Sequence, residues 1–190
     1  MSTKLSHLKF FVLTAIFFAT LFLPVSAEAQ RRPHLSEMEV DIVREAQAID
    51  ARTEVFIKAI DRRFLVINNQ TLPDDKKSRK DSEIWGELPA GTRLELFLDI
   101  KKILAEAIDN IDDVAAHNKM DDKLFPAAVR RLAAAAQKYL PEFKSAFDKT
   151  KDEKEKGVIL SSIEFCDQII EASAKIPKDE IKDKKKKDDN

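Results

Sequence analysis

The stretch AHNKMDDKLF, residues 116–125, places a histidine, a methionine and two aspartates within six positions. Residues of these types can bind a metal ion or haem. The same types also suit a turn between two helices. His117 fits the negative end of a helix dipole, and Met120 can pack on Phe125 at the start of the next helix. Because each residue has a structural role, we interpret the stretch as a turn.

Known metal and haem sites demand more than this stretch offers. A ferritin-like carboxylate site requires Glu-x-x-His on two helices, and the sequence contains no such pair. Structural zinc needs four clustered ligands, whereas residues 30–190 hold one Cys and two His. Met38 and His117 could bind haem if the helices that carry them are antiparallel. We predict no resident metal or cofactor, and a carrier of non-covalent haem or another apolar molecule is the alternative function.

The residue types required for catalysis are also scarce. Three scattered glycines cannot form a phosphate-binding loop, and no Gly-x-Ser-x-Gly motif provides a serine nucleophile. Cys166 shares an apolar stripe with Ile159 and Ile170, so we expect a buried structural thiol. Carboxylate pairs such as Asp112 and Asp113 arise by chance when 35% of residues are charged. We therefore predict that the protein is not an enzyme.

The N-terminal residues predict export. Lys4 and Lys9 precede the 14-residue apolar run 10–23, which is too short to span a bilayer as a helix. Small residues follow it, so we expect a signal peptide cleaved after Ala29. The mature chain would be secreted or periplasmic, with no stable membrane insertion.

The mature chain has a nearly balanced charge. Without residues 1–29, it carries 31 basic and 33 acidic residues, a net charge of −2, which gives no electrostatic reason to bind nucleic acid. Its length suits one domain, which we assign to residues 30–175. Residues 176–190 have a mixed, highly charged composition, and we expect a disordered tail.

Three capping boxes, a Ser or Thr followed three residues later by Glu, mark helix starts at Ser36, Thr92 and Thr150. Apolar residues spaced by threes and fours follow each of them. The pattern predicts four amphipathic helices: A, residues 37–67; B, 93–117; C, 123–147; and D, 151–175. Helix C retains its phase across Pro141, which indicates a kinked helix rather than a chain reversal.

These helices predict an all-α fold, a four-helix bundle with a long A–B connection. Short connections make B and C, and C and D, antiparallel neighbours. Extra apolar positions on helix B, including Phe97 and Ile103, indicate contact with more than one neighbour. The A–B connection, residues 68–91, is long enough to cross the bundle, so the relative direction of A and B is open.

Four residues are candidates for binding a partner: Ile84 and Trp85 in the A–B connection, and Val55 and Leu65 off the main stripe of helix A. Ile84 and Trp85 could either pin the connection to the bundle or serve as an interface anchor. The extra apolar residues of helix A could face a partner or a second copy, or show that helix A is more buried than the others. We predict a protein-interaction or scaffold module with an unidentified protein partner or self-association.

Overall fold

The computed structural model of the chain describes residues 32–72, 75–117 and 124–176, apart from the side chain of Lys77. The expected signal peptide, the expected tail beyond residue 176 and residues 118–123 of the proposed turn lie outside these described residues. From Pro33 onwards, the described residues belong to one compact unit.

The described part of the chain is all-α, as the sequence predicts: it contains six helices and no strand. The helices are α1, Glu37–Glu45; α2, Ile49–Ile67; α3, Lys76–Trp85; α4, Arg93–Ala116; α5, Leu124–Lys149; and α6, Glu153–Ala174. Predicted helices B, C and D correspond to α4, α5 and α6, with ends that differ by no more than two residues. Helix α5 continues through Pro141, as the retained phase predicts.

Predicted helix A is two helices, α1 and α2, and the prediction of a single helix was wrong. The chain leaves the helical path after Glu45 and resumes at Ile49. Arg52 compensates for the break, since its Nε donates to the Ala46 carbonyl at 3.0 Å and its guanidinium reaches Asn110 of α4. The apolar spacing continues across the break, so periodicity alone predicts an uninterrupted helix.

Helix α3 lies in the connection that the sequence leaves as a long loop. Asp75 starts it by accepting a hydrogen bond from the Ser78 N–H at 2.7 Å. Gly86 ends it with φ +67°, a left-handed conformation that favours glycine. The only large apolar residues of α3 are Ile84 and Trp85, too few to form a helical stripe.

Two of the three predicted capping boxes are confirmed, those at Ser36 and Thr92. The box at Thr150 is wrong, because α6 begins later and Asp152 is its N-cap. The Asp152 carboxylate accepts from the Lys154 N–H at 2.8 Å, while Thr150 accepts from the Asp152 N–H. Aspartate and threonine are both good N-cap residues, and here the aspartate two positions later caps the helix.

The four long helices each pack mainly against two others. Helix α2 contacts α4 and α5, and α6 contacts the same two. Helices α4 and α5 touch each other only slightly, so B and C are not the neighbours that their short connection predicts. The reason is that the wide apolar surface of α4 faces α2 and α6 instead.

Side-chain pairs between helices give the helix directions. Arg52 bonds to Asn110, and Arg63 lies 3.7 Å from Asp99, so α2 and α4 are antiparallel. This answers the question that the long connection left open. Helix α5 runs parallel to α2, because Glu54 pairs with Arg131 and Asp61 with Lys138.

Aromatic residues fill the core at the C-terminal end of α2. Phe64 stacks on Tyr139 with ring centroids 5.3 Å apart and meets Phe143 edge to face at the same distance. Phe97 of α4 closes the cluster from the other side, 6.2 Å from Phe143. Burial of such rings is a major contribution to stability in a chain that has a single cysteine.

Candidate functional site

Four charged side chains are buried together where α1, α2 and α4 meet. Glu39, Arg62, Arg63 and Asp99 are each no more than 3% exposed. Arg63 binds Glu39 through both terminal nitrogens, at 3.0 and 2.8 Å, and its Nε lies 3.7 Å from Asp99. The Nε of Arg62 lies 3.5 Å from Glu39. We call these four residues the buried ion network, and their formal charges sum to zero.

Arg62 connects this network to the end of α3. Its Nη2 donates to the carbonyl groups of Trp85 and Gly86, both at 3.1 Å, and to that of Glu87. The last carbonyl groups of a helix lack intrahelical partners and carry the negative end of its dipole, so a guanidinium group is a suitable partner for them.

Arg63 connects the same network to the segment before α1. It donates to the His34 carbonyl and, at 2.7 Å, to the Ala59 carbonyl of its own helix. Leu35, beside His34, is buried in the core. The two adjacent arginines therefore attach two separate parts of the chain, residues 34–45 and the end of α3, to one helix.

The protonation states suit this structural role. Burial alone raises the pKa of Glu39, but the hydrogen bonds and charge of Arg63, the Ser36 N–H and the charge of Arg62 outweigh it, so the pKa of Glu39 is lowered. Burial lowers the pKa of Arg62, and the charge of Glu39 opposes that shift. The Nε atoms of both arginines lack a hydrogen bond, yet each faces a carboxylate oxygen. The arrangement thus holds the helices together.

Trp85 lies against this assembly and is 7% exposed. The Arg62 Cζ lies 5.7 Å from the centroid of its ring and the Lys58 Nζ lies 4.8 Å from it, while Lys58 also pairs with Asp81 at 2.8 Å. Trp85 therefore pins the connection to the helices, which is one of the two roles considered for it.

The other candidate residues are divided between the core and the surface. Val55 is buried in the core, and Leu65 is half-buried beside a surface groove. Ile84 is 48% exposed. The four candidates thus do not form one surface, and Ile84 is the most exposed of them.

Met38 is exposed at the surface, as Ile84 is. Its side chain is 42% exposed and lies against Gly86, where an added Cβ would approach the Met38 sulfur to 2.6 Å. Gly86 is therefore favoured by its backbone conformation, while an added Cβ would require only a shift of the flexible Met38 side chain. We call Met38, Lys76, Lys80 and Ile84 the α1–α3 surface; all four side chains are exposed.

The surface groove beside Leu65 is concave. It lies between α2 and α5, has a volume of about 320 Å³ and is lined by Phe64, Leu65 and Tyr139 together with polar residues. Asp61 and Lys138 form an ion pair at 2.9 Å along its edge. The groove therefore combines an apolar wall with a charged rim.

The two proposed haem ligands are not brought together. Met38 precedes Glu39, which pairs with Arg63 of α2, and Arg63 in turn lies 3.7 Å from Asp99 of α4. His117 lies 18 residues further along α4, which is about 27 Å at 1.5 Å per residue. His117 is exposed, and its Nδ1 lies 2.8 Å from the Asp113 carbonyl oxygen. Among the described residues, no group of three or more His, Cys, Asp or Glu side chains could hold a metal ion.

Cys166 is buried, as its stripe predicts, and burial together with the charge of Asp167 raises the pKa of its thiol to about 12. A thiol with this pKa is almost entirely protonated at neutral pH and is a weak nucleophile. We expect the folded protein to react with a thiol-specific disulfide reagent at least 100-fold more slowly than the urea-unfolded chain. Absorbance of the released thiolate measures both rates, and equal rates would contradict the burial of Cys166.

No protein-family model, curated protein or solved structure matches the chain. Within its described ranges, no helix is long and apolar enough to cross a membrane.

Proposed function

We propose that the chain is an exported protein, made with a signal peptide over residues 1–29. We also propose that its four long helices form a four-helix bundle. We further propose that it works by binding a protein partner through the α1–α3 surface. The observation that carries the proposal is the exposure of two large apolar side chains, Met38 and Ile84, on elements fixed by the buried ion network.

A single exposed apolar residue needs no explanation, since most proteins have several. Here two such residues come from different elements, and Met38 lies against Gly86, two residues after Ile84. Trp85 and Arg62 hold the end of α3 in place. Binding sites benefit from such support, because a side chain held in position loses little conformational entropy when a partner binds.

The groove beside Leu65 favours a second function, a carrier of a small molecule. Its volume of about 320 Å³ falls at the lower end of the range for ligand pockets, about 300 to 1,000 Å³. Asp61, Lys138 and Glu142 on its lining suit a ligand with a polar end better than haem. Native mass spectrometry of protein isolated gently from its own host tests this function, which requires a small-molecule mass increment that disappears on denaturation.

The partner-binding proposal is tested with a photoreactive amino acid placed at position 84 in the full chain, in the host that makes it. Position 160 is the matched control, because Leu160 on α6 is 49% exposed, as Ile84 is 48% exposed. We expect a cross-linked protein from position 84 and none of the same mass from position 160. Mass spectrometry of the cross-linked product identifies the partner.

Substitution then measures the contribution of Ile84. With the identified partner purified, we expect Ile84→Asp to weaken binding at least 10-fold, because a charge replaces the apolar contact. A 10-fold change in affinity corresponds to about 1.4 kcal/mol of binding free energy. Leu160→Asp should leave the affinity unchanged, and circular dichroism should show that both variants are folded. Equal affinities of the two variants for the partner, or cross-linking at 160 alone, would refute the proposal.

A further inference from the structure

One side of α3 carries basic and apolar residues in a line. Lys76, Lys80 and Ile84 are four residues apart, so they lie on one face of the helix, and all three are exposed. Met38 lies against Gly86, two residues after Ile84. The α1–α3 surface therefore has a basic part, at the start of α3, and an apolar part, at its end.

The acidic residues of α3 only partly offset these lysines. Asp81 is half-buried and pairs with Lys58 of α2 at 2.8 Å. Asp75, which precedes the helix, accepts a hydrogen bond from the Ser78 N–H. Glu83 is exposed and is the one acidic residue of α3 whose charge opposes Lys76 and Lys80 on the outer face. The outer face of α3 thus has a net positive charge.

This charge does not stabilise the helix. Lys76 lies in the first turn of α3, which has no acidic residue, and the backbone dipole there is also positive. An acidic residue at the same position would be more favourable for the helix itself. Asp75 already caps the start of the helix, so a partner that brings negative charge would gain mainly from the lysines.

We infer that the partner of the α1–α3 surface is an acidic protein segment with an apolar anchor. Carboxylates of the segment pair with Lys76 and Lys80, and an apolar side chain packs on Ile84 and Met38. This inference rests on the proposed function and adds the chemistry of the partner. It favours a protein over a lipid surface, because two apolar side chains are far fewer than the apolar face of a helix that lies in a membrane interface.

The test uses fluorescence anisotropy of labelled 15-residue peptides with the full mature chain at low salt. One peptide alternates Glu pairs with Leu, a second has Lys in place of Glu, and a third has Ser in place of Leu. We expect the Glu–Leu peptide to bind at least 10-fold more tightly than either of the others. Raising the salt concentration should weaken its binding, since exposed charge pairs are screened.

Charge reversal locates the binding. We expect Lys76→Glu/Lys80→Glu to weaken binding of the Glu–Leu peptide about 10-fold, while Lys144→Glu/Lys154→Glu, a matched reversal of two exposed lysines on α5 and α6, changes it less than two-fold. The α3 variant should melt at the same temperature as wild type or higher, because acidic residues suit the start of a helix. A loss of binding without a loss of stability separates a binding role from a structural one.

Several results would overturn the inference. Equal binding of the Lys–Leu peptide would exclude charge recognition, and an unchanged affinity of the α3 variant would place binding elsewhere. Preferential binding to vesicles that contain phosphatidylglycerol, lost in the α3 variant, would indicate a lipid surface, and self-association lost with Ile84→Asp would indicate a second copy. A neutral or basic host segment cross-linked at position 84 would refute the acidic partner yet preserve the proposed function, whereas the absence of any cross-link there removes both.

Discussion

Arg63→Ala is expected to destabilise the protein by about 3 to 5 kcal/mol, the usual cost of removing one member of a buried ion pair. The guanidinium group of Arg63 is the partner of Glu39 and lies near Asp99, and all three side chains are buried. Its removal leaves two carboxylates in a site from which water is largely excluded. The His34 carbonyl also loses its hydrogen bond to Arg63. Chemical denaturation followed by circular dichroism measures the change in the free energy of unfolding.

Arg131→Ala is the matched control. Arg131 also faces two carboxylates, Glu54 at 2.5 Å and Asp50 at 3.8 Å, but its side chain is 44% exposed. Exposed ion pairs contribute about 0 to 1 kcal/mol, so this variant should remain close to wild type in stability. Equal losses from Arg63→Ala and Arg131→Ala would contradict the account of the buried network. A double-mutant cycle with Glu39→Gln should show coupling, because Glu39 loses its main partner in Arg63→Ala.

The long helices were largely predictable because their signals are local. Each of α4, α5 and α6 has its own apolar stripe, and the capping box at Thr92 involves residues only three positions apart. Helix α5 also follows its stripe through Pro141. Interactions within a few residues are visible in a sequence without knowledge of the fold.

The break between α1 and α2 was not predictable from the same signals. The apolar spacing continues through residues 46–48, and the contacts that stabilise the break come from Arg52 and Asn110, 58 positions apart. Helix α3 was missed for a related reason. Its attachment to the other helices depends on Trp85 and on carbonyl groups that Arg62 binds, rather than on an apolar stripe.

The buried ion network was the part of the candidate site least accessible to sequence analysis. Arginine and glutamate are rarely buried, and nothing in their spacing shows that Arg63 meets Glu39, 24 positions earlier. The one available signal was the position of Arg62 and Arg63 between Ile60 and Phe64, two buried apolar residues of the helix. The exposure of Ile84 and the burial of its neighbour Trp85 were not predictable either. Apolar residues in a polar connection are expected both when they pin it to the helices and when they anchor an interface.

Trp85→Ala is expected to destabilise the protein by about 3 to 5 kcal/mol, as replacement of a buried tryptophan by alanine commonly does. The substitution removes a ring that is 7% exposed, together with its contacts to Lys58 and Arg62. It also opens a cavity beside the carbonyl groups that Arg62 binds. Urea unfolding followed by circular dichroism is the appropriate measurement, because Trp85 is the only tryptophan and the variant has no tryptophan fluorescence.

Ile84→Ala serves as the comparison for Trp85→Ala, since the two residues are adjacent on α3 and differ mainly in burial. The side chain of Ile84 is 48% exposed, so its truncation should change the free energy of unfolding by no more than about 0.5 kcal/mol. If the two variants are equally stable, Trp85 does not pin the connection. The expected outcome instead assigns separate roles to neighbouring residues: Trp85 fixes the end of α3 to α2, and this anchoring lets Ile84 remain exposed on a rigid element.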